Sequence, residues 1–133
     1  MRLGYVSLLP ETETVTKFME ELKNNRLMGT RCRKCGAKYL PPRAHCHCGS
    51  KELEGYEAPK HGKLLTYTIV AFPPESMTKY APYIIAIAEL EDGSKLLAHI
   101  TEATPKNLKV GMRVQVVPHQ ISADRIAYKF KPL

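Results

Sequence analysis

Apolar positions in the first part of the chain recur with a helical period. Val15, Phe18, Met19 and Leu22 fall at i, i+3, i+4 and i+7, so residues 12–25 are expected to form an amphipathic helix with one apolar stripe. Thr12 or Thr14 is the expected N-cap, and Asn24-Asn25 the exit. The stripe is expected to pack on the protein's own body; docking onto a partner is the sharper alternative. After the helix the period shortens. Residues 27–31 and 38–40 read as short strands on either side of a cysteine-rich turn, and residues 54–61, polar and containing Pro59, read as a linker. From Gly62 onward, five runs are apolar or alternate with period two: 63–72, 83–91, 95–100, 112–119 and 125–131. In the last run Ile126, Tyr128 and Phe130 share a face, and between the second and third Asp92-Gly93 marks a tight hairpin. A Pro-rich loop fills 72–82, long enough to carry function, and 101–111 has room only for a helical turn and a loop.

Chemistry enters between the helix and the strand-rich part. Cys32, Cys35, Cys46 and Cys48 are the only cysteines, and they form two close pairs separated by ten residues. Zinc takes four soft or borderline ligands in a tetrahedron, and a thiolate pair on a tight turn supplies two of them. Gly36 follows the second cysteine and Gly49 the fourth, where a backbone turn beneath a metal needs positive φ. The first knuckle has the usual C-x-x-C-G spacing, whereas Cys46-His47-Cys48 is one residue short. His45 and His47 flank that pair, and either imidazole could stand in for a thiolate. Two disulfides, or a metal-free relic of a ribbon, are the plainer alternatives. The start of the chain has no apolar core and cleavage site of a secretory signal, which favours a metal over disulfides. A redox C-x-x-C would open a helix, but here Lys38-Tyr39-Leu40 reads as a strand. A structural zinc ribbon with Cys32, Cys35, Cys46 and Cys48 as ligands is therefore the expectation.

Charge changes the picture further. The chain of 133 residues carries a net charge of +7, and between Arg26 and Arg43 lie six basic residues and no acidic one. From His61 onward nine basic residues face six acidic ones, an ordinary balance. A basic patch at the ribbon points to a polyanion, either nucleic acid or the phosphates of a nucleotide-bearing cofactor. Part of it can also offset the negative charge of a four-thiolate zinc site. No apolar run approaches the roughly 18 residues of a membrane span, and a cytoplasmic location is expected.

Five short antiparallel strands with an interruption before the fourth is the plan of an OB barrel. The expected fold is mainly β: an N-terminal helical segment (1–26), a rubredoxin-like zinc ribbon (27–55) and a five-stranded OB-fold domain (56–133). This plan resembles the DUF35 family, a zinc ribbon fused to an acyl-CoA-associated OB-fold domain. The residues that carry the resemblance are Cys32-Arg33-Lys34-Cys35-Gly36, Pro41-Pro42-Arg43, and Cys46 with Cys48-Gly49-Ser50. Leu65-Thr66-Tyr67-Thr68, Gly93 and Val110-Gly111-Met112-Arg113-Val114 extend it through the barrel.

The resemblance implies a non-catalytic partner of thiolase-superfamily enzymes. Similar archaeal proteins bridge acetoacetyl-CoA thiolase and hydroxymethylglutaryl-CoA (HMG-CoA) synthase and help acyl-CoA intermediates pass between active sites. The residues allow such a role. Arg31, Lys38 and Arg43 suit coenzyme A phosphates, and Tyr67 and Tyr80, with Tyr39 and Phe72, are candidates for lining a groove for its pantetheine arm. Each tyrosine has the plainer reading of barrel packing. The competing function is single-stranded nucleic-acid binding by the ribbon and OB fold. Against it, residues 83–91 and 95–100 are chiefly aliphatic and carry Glu89, Glu91 and Asp92 rather than stacking aromatics among lysines. An enzyme is not expected: the cysteines are committed, no phosphate-cradling Gly-rich loop or Gly-x-Ser-x-Gly occurs, and His61, His99 and His119 are far apart in sequence.

Overall fold

The computed structural model describes residues 2–5 and 13–133. Arg2–Leu3 (β1) leads to a helix, α1, over Glu13–Lys23. Its stripe is the one expected, with Phe18, Met19 and Leu22 buried and Val15 packed against the same cluster. Thr14 lies inside the helix and is not its cap, and Thr12 lies outside the described residues. The exit is at Asn25, whose φ of 58° is left-handed; the Asn25 and Arg26 amides close the last turn onto the Leu22 and Glu21 carbonyls.

Three strands build the ribbon: Met28–Cys32 (β2), Lys38–Tyr39 (β3) and Leu53–Glu57 (β4), in the order β3-β2-β4. The stretch expected as a linker is therefore mostly a strand. Residues 53–57 pair antiparallel with all of β2, from Cys32 opposite Leu53 to Met28 opposite Glu57. Polarity misled there, because β4 belongs to a small sheet with little core, and its carboxylates pair with Arg31 of β2 and with Arg26 and Arg33 on either side of that strand. From Ala58, whose amide donates to the Leu27 carbonyl, the chain runs into the barrel with only residues 58–60 between strands.

The barrel strands are His61–Val70 (β5), Tyr83–Leu90 (β6), Lys95–Ile100 (β7), Arg113–Ser122 (β8) and Arg125–Pro132 (β9). Their order is β9-β7-β6-β5-β8, with β8 pairing back onto β9 to close the cylinder, β7 and β9 running parallel, and β1 added beside β9. Closure is partial: β5 beyond Lys63 and β7 before His99 pair with β6 alone, as in a partly open OB barrel. β5 serves two neighbours. It pairs with β6 along its length, and its first residues, His61 to Lys63, also pair with β8, which starts the strand two residues earlier than the apolar run predicts. A bulge between Leu64 and Thr66 bends it. Residues 101–111 hold turns and no helix, while Glu75–Tyr80 in the Pro-rich loop forms a 3₁₀ helix. On β6 every second residue (Ile84, Ala86, Ala88 and Leu90) faces the core, and Leu64, Leu96, Val114, Ile126 and Phe130 meet them there. Phe18, Met19 and Leu22 of α1 join the same cluster, and Phe18 meets the Tyr128 ring edge-on at 5.8 Å. Helix and barrel thus share one hydrophobic core.

Candidate metal centre

The four cysteine Sγ atoms lie within 4.8 Å of one another, on residues alternately buried (Cys32, Cys46) and exposed (Cys35, Cys48). All four are free thiols. The Cys32–Cys48 and Cys35–Cys46 separations are 3.8 and 3.3 Å. A tetrahedron with Zn–S bonds of about 2.3 Å has edges of about 3.8 Å, so a four-thiolate zinc site fits this cluster with small adjustment.

The short second knuckle is accommodated by a turn one residue tighter throughout. In the first, Gly36 N–H donates to the Cys32 carbonyl and Cys32 N–H to the Ala37 carbonyl, at 3.0 and 2.8 Å. In the second, Gly49 N–H donates to the Cys46 carbonyl and Cys46 N–H to the Ser50 carbonyl, at 3.0 and 2.9 Å. The pattern is the same with one residue removed, and each turn ends on a left-handed glycine, Gly36 at φ 79° and Gly49 at φ 91°. A C-x-C pair thereby presents its thiols as a C-x-x-C pair does.

Donors converge on the sulfurs. The Lys34 and Cys35 amides reach Cys32 Sγ at 3.4 and 3.5 Å, and the Tyr39 hydroxyl reaches Cys46 Sγ at 3.4 Å. The thiols consequently hold their protons unequally. The Cys48 amide, then the Tyr39 hydroxyl, lower Cys46 to about 5. The Ala37 amide pulls Cys35 down, but Cys46, burial and the remaining thiols outweigh it and push Cys35 up to about 12. Amide donation, chiefly from Cys35, lowers Cys32. His47 is tied to Tyr39: its amide donates to the hydroxyl, and its Nδ1 shares a 3.0 Å hydrogen bond with it. His45 is exposed, and the group of mutually close ligand atoms comprises the four thiols.

The basic patch is largely neutralised at home. Arg26 pairs with Glu21 and Glu57, Arg31 holds Glu54 through two nitrogens at 2.6 and 3.1 Å, and Arg33 approaches the same carboxylate. The Arg31 hydrogen bond and charge, with Arg33 behind them, keep the Glu54 carboxyl below its ordinary range. Lys38 lies 3.9 Å from Asp92. Among the described residues, Lys34 and Arg43 have no carboxylate within 4.0 Å.

The residues expected to meet coenzyme A do not form one site. Lys38, Tyr39 and Arg43 line a common groove of about 420 Å³ that also takes in Ser94 and Lys95 of the β6–β7 hairpin. Arg31 is engaged by Glu54 and does not line it. Tyr67 is half-buried against the barrel core opposite Ala86, Tyr80 is half-buried in the 3₁₀ turn with its ring 4.8 Å from Tyr5, and Phe72 is 97% exposed. A cluster the sequence did not reveal sits beside Tyr80. His99 lies flat between Tyr5 and Tyr83, with centroids 4.5 and 4.7 Å away, and His119 is 6.4 Å from Tyr5. Histidines remote in sequence are thus neighbours, because β7 and β8 both flank β9.

Residues 19–54 match the rubredoxin-like zinc ribbon domain of ChsH2, and residues 55–119 match its C-terminal OB-fold domain. The chain is 34% identical to a DUF35 domain-containing scaffold protein of Methanocaldococcus jannaschii, over 98% of this chain and 99% of that one. It is 32% identical, over 73% of its length, to a probable enoyl-CoA hydratase alpha subunit of Thermomonospora curvata, of which it spans 30%. Among solved structures, the Ltp2-ChsH2(DUF35) aldolase superposes with a TM-score of 0.77 at 27% identity, covering 93% of this chain and 98% of that chain. With adjoining matches over ribbon and barrel and a relative aligned nearly end to end, this chain belongs to the DUF35 family, as a ChsH2-type zinc ribbon joined to an OB-fold barrel.

Proposed function

We propose that this chain is a non-catalytic accessory subunit of a thiolase-superfamily complex in the cytoplasm, acting beside acetoacetyl-CoA thiolase with or without HMG-CoA synthase. There it aids acyl-CoA binding or the passage of intermediates between active sites. The observation that carries this reading is the alignment along 98% of the chain with a protein named as a scaffold. The aldolase that pairs a DUF35 chain with Ltp2 supports association with an enzyme, and the relative named for enoyl-CoA chemistry supports the link to acyl-CoA.

In this reading Cys32, Cys35, Cys46 and Cys48 hold a zinc ion. Bound by four thiolates, zinc supplies folding free energy and leaves no coordination position for substrate. The residues around it do the mechanical work. Tyr39 and His47 lock the second knuckle against β3, and α1 and the barrel share a core, so ribbon and barrel present a fixed surface. The barrel offers apolar contacts outward: Phe72 on the loop after β5, and Leu97 on β7 opposite Ile87. No helix among the described residues is long and apolar enough to cross a membrane.

The test is affinity purification of the tagged chain from its own organism at moderate salt, read by mass spectrometry. Recovery of a thiolase-family enzyme, alone or with HMG-CoA synthase, is the expected result. Recovery of ribosomal or transcription components that disappear on nuclease treatment would replace this reading with single-stranded nucleic-acid binding.

A further inference from the structure

The groove between the ribbon and the β6–β7 hairpin has the chemistry of a phosphate site. Residues 38–43 form one wall, Ser94 and Lys95 the other, and no carboxylate is among its lining residues. Three cations line it, Arg43, Lys95 and Lys38, the last of them 3.9 Å from the Asp92 carboxylate. Arg43 and Lys95 have no carboxylate within 4.0 Å among the described residues, in contrast to Arg26, Arg31 and Arg33.

Arg43 is also held in place. Its amide donates to Thr30 Oγ1 and its carbonyl accepts from the same hydroxyl, both at 2.9 Å, which clamps its backbone to β2. Its guanidinium lies over the Tyr39 ring, 4.8 Å from the centroid, and the Tyr39 hydroxyl is in turn fixed by the His47 amide. Stacking uses a face of the guanidinium and leaves its N–H donors for an anion, and such donors bind phosphate oxygens as a fork. Pre-organisation of this kind lowers the ordering cost of binding. Leu40, Pro41 and Pro42 give the same wall an apolar surface, and the volume of about 420 Å³ lies within the range of small-molecule sites.

We propose that this groove receives the 3′-phosphorylated ADP end of coenzyme A, with Arg43 and Lys95 holding phosphate from opposite walls and Lys38 beside them. The assignment rests on the acyl-CoA reading above and adds a location for the nucleotide. A ligand bound here touches ribbon and barrel together, so the two modules form the site jointly.

The experiment is calorimetric titration of the full-length, zinc-loaded chain at low ionic strength with coenzyme A, dephospho-coenzyme A and a single-stranded oligonucleotide. Proteins compared are wild type, Arg43→Ala, Lys95→Ala and, as an exposed control, Lys106→Ala. Coenzyme A should bind wild type and Lys106→Ala alike, and about tenfold more weakly to each groove variant, as loss of a charge-assisted hydrogen bond implies. Lys95→Ala or Arg43→Ala should also lose the preference for coenzyme A over its dephospho form. Coenzyme A binding that neither substitution weakens would overturn the groove and leave the acyl-CoA reading standing. Oligonucleotide binding that both substitutions abolish, with no binding of coenzyme A, would overturn both.

Discussion

The Tyr39 hydroxyl donates to Cys46 Sγ across 3.4 Å while accepting the His47 amide at 3.0 Å. One phenol oxygen on β3 thereby fixes the short knuckle twice, at a thiol and at the backbone between its two cysteines. A donor outside the ligand set stabilises the thiolate and orients it, and its loss typically weakens metal binding by one to two orders of magnitude. Tyr39→Phe keeps the ring under Arg43 and removes only the hydroxyl. We expect about tenfold weaker zinc retention against a competing chelator, with the barrel unaltered. Unchanged zinc competition would show that the phenol serves packing alone.

Cys35→Ser probes what the metal holds together. The ribbon strands β2, β3 and β4 have 5, 2 and 5 residues, whereas the barrel strands draw on a core that includes α1. A module with so little apolar core depends on its metal for folding. The variant should lose zinc and the protection of its ribbon amides from exchange, while β5 to β9 stay protected. A metal-free Cys35→Ser protein with a fully protected ribbon and normal partner binding would contradict this.

Helix α1, the four-thiol site and the five barrel strands were legible because each rests on a local pattern: a 3.6 period, paired cysteines followed by glycine, alternating apolar runs. What the sequence hid depends on pairings between distant segments. β4 reads as a polar linker, since Glu54 and Glu57 are explicable only once Arg31, Arg33 and Arg26 stand opposite them. Lys95 showed no sign of joining Arg43, because the hairpin meets the ribbon only in three dimensions. His99 and His119 looked isolated for the same reason. Of the charges read as an anion patch, most turned out to bind the protein's own carboxylates.

Gly62 is required by space more than by conformation. It sits where β5 pairs with both β6 and β8, opposite Leu90 and Val114. A Cβ there would run into the Glu89 carbonyl oxygen and stand 2.9 Å from the Glu89 carbonyl carbon and Leu90 Cα, all of them backbone atoms. Backbone within a closed barrel cannot move aside without breaking ladder hydrogen bonds. Gly62→Ala should therefore destabilise by about 2 kcal/mol or more, seen as an earlier urea midpoint. An unchanged midpoint would mean that the barrel yields at this crossing.

Acid should loosen the barrel through the histidine cluster. Burial first, and then His119 nearby, lower the His99 pKa; burial, and then Lys129, lower that of His119. Both groups are thus harder to protonate in the folded state than in the unfolded chain, where a histidine titrates near 6.5. The unfolded state binds more protons below that value, so the stability these histidines contribute is full above about pH 6.5. It declines as the pH falls below that point and is gone once the pH has passed the lower folded-state values. The groups facing His99 do not offset this: Tyr5 and Tyr83 stack their rings on it, and Lys129 is its partner on β9. Melting temperatures measured from pH 7.5 to 5.5 should fall, and fall less steeply for His99→Gln than for wild type. Acid also releases thiolate-bound metal, so the difference in slope between the two proteins is the informative quantity. Parallel slopes would mean that His99 takes up its proton equally in both states, and that its place between the two tyrosines leaves its titration unaffected.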